Sequence, residues 1–181
     1  VFDGTSPRPY VEWDRTNPAS VYGKSKLAGE AETLGAVPGA TVVRTSWVCG
    51  VHGSNMVKTI LRLAGGEGRL RFVDDQHGCP TFTADLAAML YRLGVDRRPG
   101  VFHVTNQRAT TWYHFARDVV AAAGGDPGRV DPIASADLDP PRPAPRPANS
   151  VLDNAALRLS DLPLLPDHGE PLARTVAALA G

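Results

Sequence analysis

Cysteine is scarce in this chain of 181 residues, with Cys49 and Cys79 the two present. Two cysteines cannot form the several bridges on which small secreted scaffolds depend, so a disulfide framework is excluded. No apolar run approaches the roughly 20 residues that a membrane-spanning helix needs. Residues 1–10 hold two opposite charges and two prolines, unlike a secretion signal. We therefore expect a soluble, reduced, cytoplasmic protein.

Excess charge is also absent, because 19 Lys and Arg residues balance 19 Asp and Glu residues. Nucleic-acid-binding proteins usually carry a surplus of basic residues, so neither nucleic acid nor a membrane surface is an expected partner. The hydrophobic fraction of 43% and the charged fraction of 21% are ordinary for a globular protein. The length suits one domain, or one domain and part of another.

A glycine-rich turn that leads from a strand into a helix is missing as well. Residues 65–68 read Gly-Gly-Glu-Gly, but they follow a predicted helix and are typical of a helix C-terminus. Dinucleotide-binding folds hold the pyrophosphate at a glycine-rich turn and the N-terminus of the next helix. The chain therefore lacks the element that would open such a fold.

The most informative segment that is present spans residues 18–30, PASVYGKSKLAGE. Tyr22 and Lys26 stand four residues apart, so on a helix both side chains lie on one face. A nearby ammonium favours phenolate and lowers the pKa of a tyrosine, which can then exchange a proton with a carbonyl or alcohol oxygen near neutral pH. Spacing alone leaves open an ordinary exposed pair, although four tyrosines and three lysines predict only roughly 0.07 such pairs by chance.

Helical and strand patterns alternate along the chain. Helices are predicted at 18–34, 55–64, 83–93, from 110 onward, 154–159 and 171–179, and strands at 41–45, 70–73 and 100–106. Thr81 or Thr83 is the expected cap of the third helix. Prolines dominate residues 126–147, which taken alone indicate a polyproline-like linker.

Five sequence blocks resemble, in the same order, the dTDP-4-dehydrorhamnose reductases, a family of extended short-chain dehydrogenases/reductases. The blocks are PYVE at 9–12, VYGKSKLAGE at 21–30, RTSWV at 44–48, DDQHGCPT at 74–81 and RPANSVL at 146–152. The resemblance covers nearly the whole chain. Five ordered blocks are more specific than one tyrosine–lysine pair.

The resemblance implies an α/β fold, the later part of a Rossmann-like doubly wound parallel sheet interleaved with a small C-terminal substrate-binding region. Residues 1–75 would complete the dinucleotide-binding domain and 76–181 would bind substrate, with a strand at 101–105 returning to the main sheet. In the family, a Ser-Thr-Asp-Tyr segment with the catalytic threonine precedes Val-Phe-Asp-Gly, which here stands at residues 1–4. We therefore expect the C-terminal portion of a longer protein, inactive without its cofactor half.

The family reaction is reduction of the C4 ketone of dTDP-4-dehydro-L-rhamnose to dTDP-L-rhamnose with hydride from NADPH or NADH. The resemblance implies that Tyr22 donates the proton and that Lys26 lowers the Tyr22 pKa and holds the nicotinamide ribose. It also implies that Trp47 packs on the sugar and that Arg146 and Asn149 line the nucleotide-sugar side. Mg2+ and a homodimer are further expectations. From chemistry alone, Trp47 can equally be a core residue and Arg146 a solvated one.

Three alternatives remain open at this point. The substrate can be another nucleotide-linked 4-keto-6-deoxyhexose, since Cys49 stands where the family usually has tyrosine. The chain can also be a non-catalytic nucleotide-sugar-binding or regulatory module. Finally, Cys49-x-x-His52 and His77-x-Cys79 can be assembled into a two-cysteine, two-histidine zinc site, but free cysteines and surface histidines are the better interpretation and no metal site is predicted.

Overall fold

The computed structural model describes residues 1–140, 144 and 146–180 of the chain. Six α-helices lie within these residues: α1 Val21–Ala36, α2 Met56–Ala64, α3 Thr83–Val95, α4 Trp112–Ala122, α5 Ala155–Leu159 and α6 Gly169–Ala180. Eight short strands alternate with them: β1 Thr41–Arg44, β2 Val48–Cys49, β3 Leu70–Val73, β4 His77–Gly78, β5 Thr81–Phe82, β6 Gly100–His103, β7 Thr110–Thr111 and β8 Val130–Ile133.

The strands pair two by two within the described residues, and three of the four pairs are parallel. β1 pairs with β6, β2 with β5 and β3 with β8 in parallel, whereas β4 and β7 are antiparallel. Parallel pairing requires crossover connections, which the intervening helices provide. The predicted α/β class with a parallel sheet is confirmed. The strand predicted at 101–105 lies beside β1, while the division of the chain after residue 75 stays a prediction.

Two apolar clusters form the core. The first is built where α4 packs on β3 and β8 and against α2 and α6, and it includes Val57, Ile60, Phe115, Val119 and Leu172. The second joins α3, β6 and α5 through Leu86, Leu93, Phe102 and Leu157. On α2 and α4 these residues recur at three- and four-residue intervals, the pattern that buries one helix face. Helix α1 belongs to neither cluster, and Gly23 is its one buried residue among those described.

Helix α1 begins three residues later than the sequence predicts. Ser20 is its N-cap, and the Ser20 hydroxyl accepts a hydrogen bond from the Gly23 N–H at 3.0 Å. Gly23 also packs against Pro18 so closely that an added Cβ would overlap the proline ring. Pro18 therefore lies outside the helix and against its first turn. The predicted cap of α3 by Thr81 or Thr83 is wrong, since Phe82 occupies that position without a side-chain bond.

The interpretation of residues 126–147 as a linker is wrong for its first part. Residues 130–133 form β8, which pairs along its whole length with β3, and short 3-10 turns at Pro127–Arg129 and Ser135–Asp137 flank it. Pro132 is compatible with this strand because β8 pairs with β3 alone, and an edge strand tolerates a residue without an N–H. Residues 141–143 and 145 of the proline-rich stretch lie outside the described part of the chain. No helix in the described part is long and apolar enough to cross a membrane.

Candidate active site

The structure brings the predicted catalytic pair together on the first turns of α1. Tyr22 and Lys26 lie on the same face, and the Lys26 Nζ is 5.5 Å from the centre of the Tyr22 ring. Tyr22 is 71% exposed, and Lys26 is exposed as well. A ligand can therefore reach both side chains. The arrangement is that of a phenol with a cation held beside it, as the sequence spacing predicts.

A largely buried ion pair ties this exposed helix to the sheet. The Arg44 Nε donates to Glu30 Oε1 at 2.9 Å and the Arg44 Nη2 donates to Glu30 Oε2 at 2.7 Å. The two side chains are only 11% and 13% exposed. Glu30 is one helical turn beyond Lys26, so the pair fixes the rotation of α1 about its axis. The fixed rotation in turn sets the direction in which Tyr22 and Lys26 face.

The loop that leads into α1, residues 1–19, is called the entry loop. It is fixed by Glu12, a residue within the PYVE block. Its Oε1 accepts hydrogen bonds from the His103 N–H at 2.9 Å and the Ala156 N–H at 3.1 Å. Glu12 is buried, and its Oε2 has no hydrogen-bond partner among the described residues. One carboxylate therefore joins the entry loop to both β6 and α5.

His103 lies fully buried beneath the same loop. Its Nδ1 is 3.1 Å from the carbonyl oxygens of Tyr10 and Asp153, and its Nε2 is 3.4 Å from Arg44 Nη1. Carbonyls only accept and guanidinium only donates, so the contacts require a neutral ring with the proton on Nδ1. Burial, with a contribution from the Arg44 charge, lowers the pKa of His103. The uncharged histidine ring therefore joins the loop before α1 to the segment that contains Asp153.

Asp3 organises the beginning of the same loop. It accepts bonds from the Thr5 N–H and hydroxyl, from the Tyr10 hydroxyl at 2.9 Å and from the Asn17 amide. These donors, with the Thr5 N–H first, lower the pKa of Asp3 to about 2. The Tyr10 ring stacks on Phe2 with centroids 4.2 Å apart. The loop before α1 is thus held by polar and aromatic contacts within itself.

Trp47 lies between β1 and β2, immediately before β2, and its backbone conformation is unusual. Its φ is 46°, in the left-handed region that a bulky residue rarely adopts. The half-buried indole stacks on Trp112, the first residue of α4, with centroids 3.6 Å apart and an interplanar angle of 10°. The i,i+3 spacing of Trp112 and Phe115 on α4 is typical of a helix face that packs on the core, and Trp112 does pack against the first core cluster. The stack on Trp47 is therefore a feature that spacing along one helix could not indicate.

Strand β4 connects Asn149 to this aromatic pair. His77, the first residue of β4, bridges to Asn149, and Gly78 lies against the Trp47 indole. The Asn149 side-chain amide donates to the Ser6 and Arg8 carbonyls at 2.9 and 3.0 Å, and its Oδ1 accepts from the Val151 N–H at 2.9 Å. The side chain therefore connects the segment 146–152 to the entry loop. The amide nitrogen of Asn149 is thus already used, and a substrate could bond only to the Oδ1 oxygen, which can accept a second hydrogen bond.

Arg146 is exposed at the start of the same segment. The next residue, Pro147, packs on Gly4, whose φ of 81° and close contact leave no room for a side chain. The guanidinium is thus carried by a segment that is anchored to the entry loop. In the described part of the chain, no hydrogen bond or aromatic contact links the Tyr22–Lys26 pair directly to Trp47. The predicted residues form two groups, with the entry loop running between α1 and the segment at 146–152.

The residues considered for zinc do not form a centre. Cys49 and Cys79 are both buried, and burial raises the pKa of the Cys79 thiol and raises that of Cys49 to about 11. Metal binding requires thiolates, which these environments disfavour. No group of three or more His, Cys, Asp or Glu side chains suited to a metal ion is found in the residues that the structure describes.

Comparison with known proteins identifies a family whose model matches essentially the whole chain. The family model described as the RmlD substrate binding domain matches residues 1–180. The chain is 44% identical over 181 residues to a protein of Mycobacterium tuberculosis named dTDP-4-dehydrorhamnose reductase, covering 99% of this chain and 59% of that protein. The chain thus spans about three fifths of the length of this relative.

Solved structures lead to the same family. The chain superimposes with a TM-score of 0.95 and 37% identity on a dTDP-4-dehydrorhamnose reductase of Clostridium acetobutylicum, covering 100% of this chain and 63% of the other. A dTDP-4-dehydrorhamnose reductase of Bacillus anthracis in complex with NADP gives a TM-score of 0.90 and 33% identity, covering 98% and 62%. The fold described above is therefore that of the corresponding part of these enzymes.

Proposed function

Since the chain belongs to the RmlD substrate binding domain family, we propose that it is the proton-donating and substrate-binding part of a reductase. The reaction is reduction of the C4 ketone of dTDP-4-dehydro-L-rhamnose to dTDP-L-rhamnose, with NADPH or NADH. The observation that carries the proposal is the position of Lys26 Nζ, 5.5 Å from the Tyr22 ring centre on an exposed helix face. The similarity of nearly the whole chain to a protein named dTDP-4-dehydrorhamnose reductase also supports it.

Tyr22 supplies the proton that the reduction needs. As the C4 carbonyl becomes an alkoxide, a phenol within hydrogen-bonding distance can transfer its proton to the oxygen and become phenolate. The Lys26 ammonium stabilises that phenolate, since an adjacent positive charge favours the ionised form. Both residues have fixed positions because Ser20 caps the helix and Glu30 holds it against Arg44.

The nicotinamide cofactor, when bound, supplies the hydride. Tyr22 and Lys26 fit its ribose end, because a phenol and an ammonium on one exposed face offer hydrogen-bond donors to ribose hydroxyls. The chain has no glycine-rich strand-to-helix turn for the phosphates. We therefore assign to these residues only the nicotinamide end of the cofactor. No residue is proposed to hold Mg2+, given the described side chains.

The substrate side is formed by Trp47 and the segment that contains Arg146 and Asn149. The indole of Trp47 packs on the sugar, since aromatic faces suit the apolar face of a hexose. Arg146 pairs with the diphosphate, for which a planar guanidinium is the best side chain. Asn149 acts here by holding the segment against Ser6 and Arg8.

A second candidate substrate is another nucleotide-linked 4-keto-6-deoxyhexose. Cys49 favours it, because its Sγ lies 3.3 Å from the Trp47 carbonyl oxygen, next to the residue proposed to contact the sugar. A cysteine is smaller than the tyrosine that the family usually has here, so it supports the backbone of Trp47, the residue proposed to contact the sugar, differently. The non-catalytic alternative is disfavoured by the intact and exposed Tyr22–Lys26 pair.

The test is a fusion in which this chain replaces the matching 59% of the M. tuberculosis relative. Oxidation of NADPH is measured with dTDP-4-dehydro-L-rhamnose and with a panel of other dTDP-4-keto-6-deoxyhexoses. The proposal predicts turnover with the rhamnose precursor at the highest kcat/KM. Turnover that favours another hexose supports the second candidate, and a folded fusion without turnover on any of them contradicts both.

Light scattering on the fusion tests the homodimer, and fractionation of the source cells tests the cytoplasmic location; both remain predictions.

A further inference from the structure

Trp47 is held in a backbone conformation that its own side chain opposes. Its φ of 46° lies in the left-handed region, where a Cβ is crowded against the backbone. Such conformations persist only when the surroundings determine them, and they cluster at functional sites. The contacts that hold Trp47 in this conformation therefore help to identify its functional role.

The backbone on both sides of Trp47 is held by residues 78–81, which run from the end of β4 into β5. The Thr81 N–H donates to the Trp47 carbonyl at 3.1 Å, and the Ser46 hydroxyl donates to the Cys79 carbonyl at 2.9 Å while accepting from the Cys79 N–H at 3.1 Å. Gly78 is the first residue of this segment, and a Cβ added there would overlap the indole atoms Cε2, Nε1 and Cζ2 of Trp47. Only glycine lets the ring take this place.

The other support of the indole is Trp112. The two rings are nearly parallel, with centroids 3.6 Å apart. Trp112 in turn makes an edge contact with Phe115, whose side chain is fully buried in the first core cluster. Its helix is capped by Thr111, whose hydroxyl donates to Asp74 at 2.6 Å. Trp47 therefore packs on Trp112, and Trp112 packs on the core through Phe115.

We propose that Trp112 is a positioning residue, which presents the Trp47 indole as a fixed wall for the hexose ring of a nucleotide-linked sugar. The inference rests on the proposed function, because that function places the sugar at Trp47. Trp112 acts through Trp47 and does not itself contact the sugar. Its removal leaves the Trp47 indole with Gly78 as its support on one side and, among the described residues, none on the other, so the ring loses its fixed position while the nucleotide contacts persist.

The stack itself is measured by circular dichroism on this chain. Two indoles in close contact give an exciton couplet, and the chain has three tryptophans, of which Trp13 is 64% exposed. The couplet is expected in the wild type and in Trp13→Phe, the matched control, and is expected to vanish in Trp112→Leu and Trp47→Phe. A couplet that survives Trp112→Leu overturns the pairing.

The sugar role is measured by titrating the chain with dTDP and with dTDP-glucose. We expect Trp112→Leu to weaken dTDP-glucose binding by roughly three- to tenfold, the value of one aromatic contact, and to leave dTDP binding unchanged. Gly78→Ala places a methyl group where the Trp47 indole lies, and we expect the same selective loss from it. This variant provides the test if Trp112→Leu does not fold. Trp112→Phe is expected to recover part of the affinity.

The outcomes separate this inference from the proposed function. A wild-type chain that does not bind dTDP-glucose, or Trp112→Leu and Gly78→Ala variants that bind both ligands normally, overturns the positioning role. An equal loss for dTDP and dTDP-glucose also overturns it, because it shows a general structural defect. If the loss is selective and the fusion enzyme nevertheless lacks turnover, the positioning role stands and the reductase assignment falls.

Discussion

Glu30 and Arg44 join the helix that carries Tyr22 to the strand that precedes Trp47. The guanidinium contacts both carboxylate oxygens of Glu30, and its Nη1 also donates to the Glu12 carbonyl at 3.2 Å. The pair is largely withdrawn from water, so its attraction is only weakly screened. Helix α1 has little buried apolar surface of its own, and this ion pair is therefore central to its placement.

Removal of the ion pair is the first prediction. Glu30→Ala leaves the largely buried Arg44 without its carboxylate. Loss of one partner of a buried ion pair typically costs about 3 to 5 kcal/mol of unfolding free energy. We expect a loss of this order in urea unfolding, with faster amide exchange across α1. Glu32→Ala, an exposed residue on the same helix, is the control and should change stability little. Equal stability of the two variants would show that other contacts hold α1.

The second prediction concerns Glu12, whose Oε1 serves two backbone donors. Glu12→Ala leaves the His103 and Ala156 N–H groups without an acceptor in a buried place. Because each unsatisfied buried donor costs about 1 to 3 kcal/mol, we expect a loss of roughly 2 to 6 kcal/mol in the unfolding free energy. Exposed Glu67→Ala is the matched control. A thermal melt of Glu12→Ala that coincides with the wild type would refute this role.

The third prediction is a stability loss in mild acid caused by His103. Its pKa is lowered in the folded chain, so the unfolded chain binds the proton more readily and stability falls as the pH drops below about 6.5. Denaturant unfolding between about pH 7.5 and pH 5 measures this slope. His103→Asn keeps a donor for the two carbonyls but cannot titrate, and it should flatten the slope. The exposed His52→Asn control should retain it; an unchanged slope in His103→Asn would exclude His103 as the cause.

Cofactor binding by the isolated chain is the fourth prediction. The chain offers residues for the nicotinamide ribose but no glycine-rich turn for the phosphates. Isothermal titration with NADPH should show no saturable heat. Micromolar binding would mean that the described residues contain a phosphate site that the sequence and the fold do not indicate.

Local chemistry made much of this structure predictable from sequence. The strand at Leu70–Val73 matches its predicted bounds, and α2 and α3 lie within two residues of theirs, because their apolar spacing and glycine or proline boundaries are local signals. The position of Tyr22 and Lys26 on one face follows from the helix repeat alone.

Features that depend on distant contacts were not predictable in this way. Strand β8 contains Pro132 within a proline-rich stretch, and only its pairing with β3 makes it a strand. The role of Trp112 depends on a ring 65 positions earlier in the chain, which helix periodicity cannot show. Asn149 matched a substrate-side block, yet three of its hydrogen bonds serve the protein itself.

Single-turnover reduction by the fusion enzyme, compared between Tyr22→Phe and Tyr91→Phe, tests the central claim most directly. Tyr91 is 75% exposed on α3 and serves as the matched control. The account predicts that Tyr22→Phe slows hydride transfer to dTDP-4-dehydro-L-rhamnose by roughly 100- to 10,000-fold, because the proton donor is lost. It predicts that Tyr91→Phe keeps the wild-type rate. Equal rates for the two variants would contradict the assignment of Tyr22 as the proton donor.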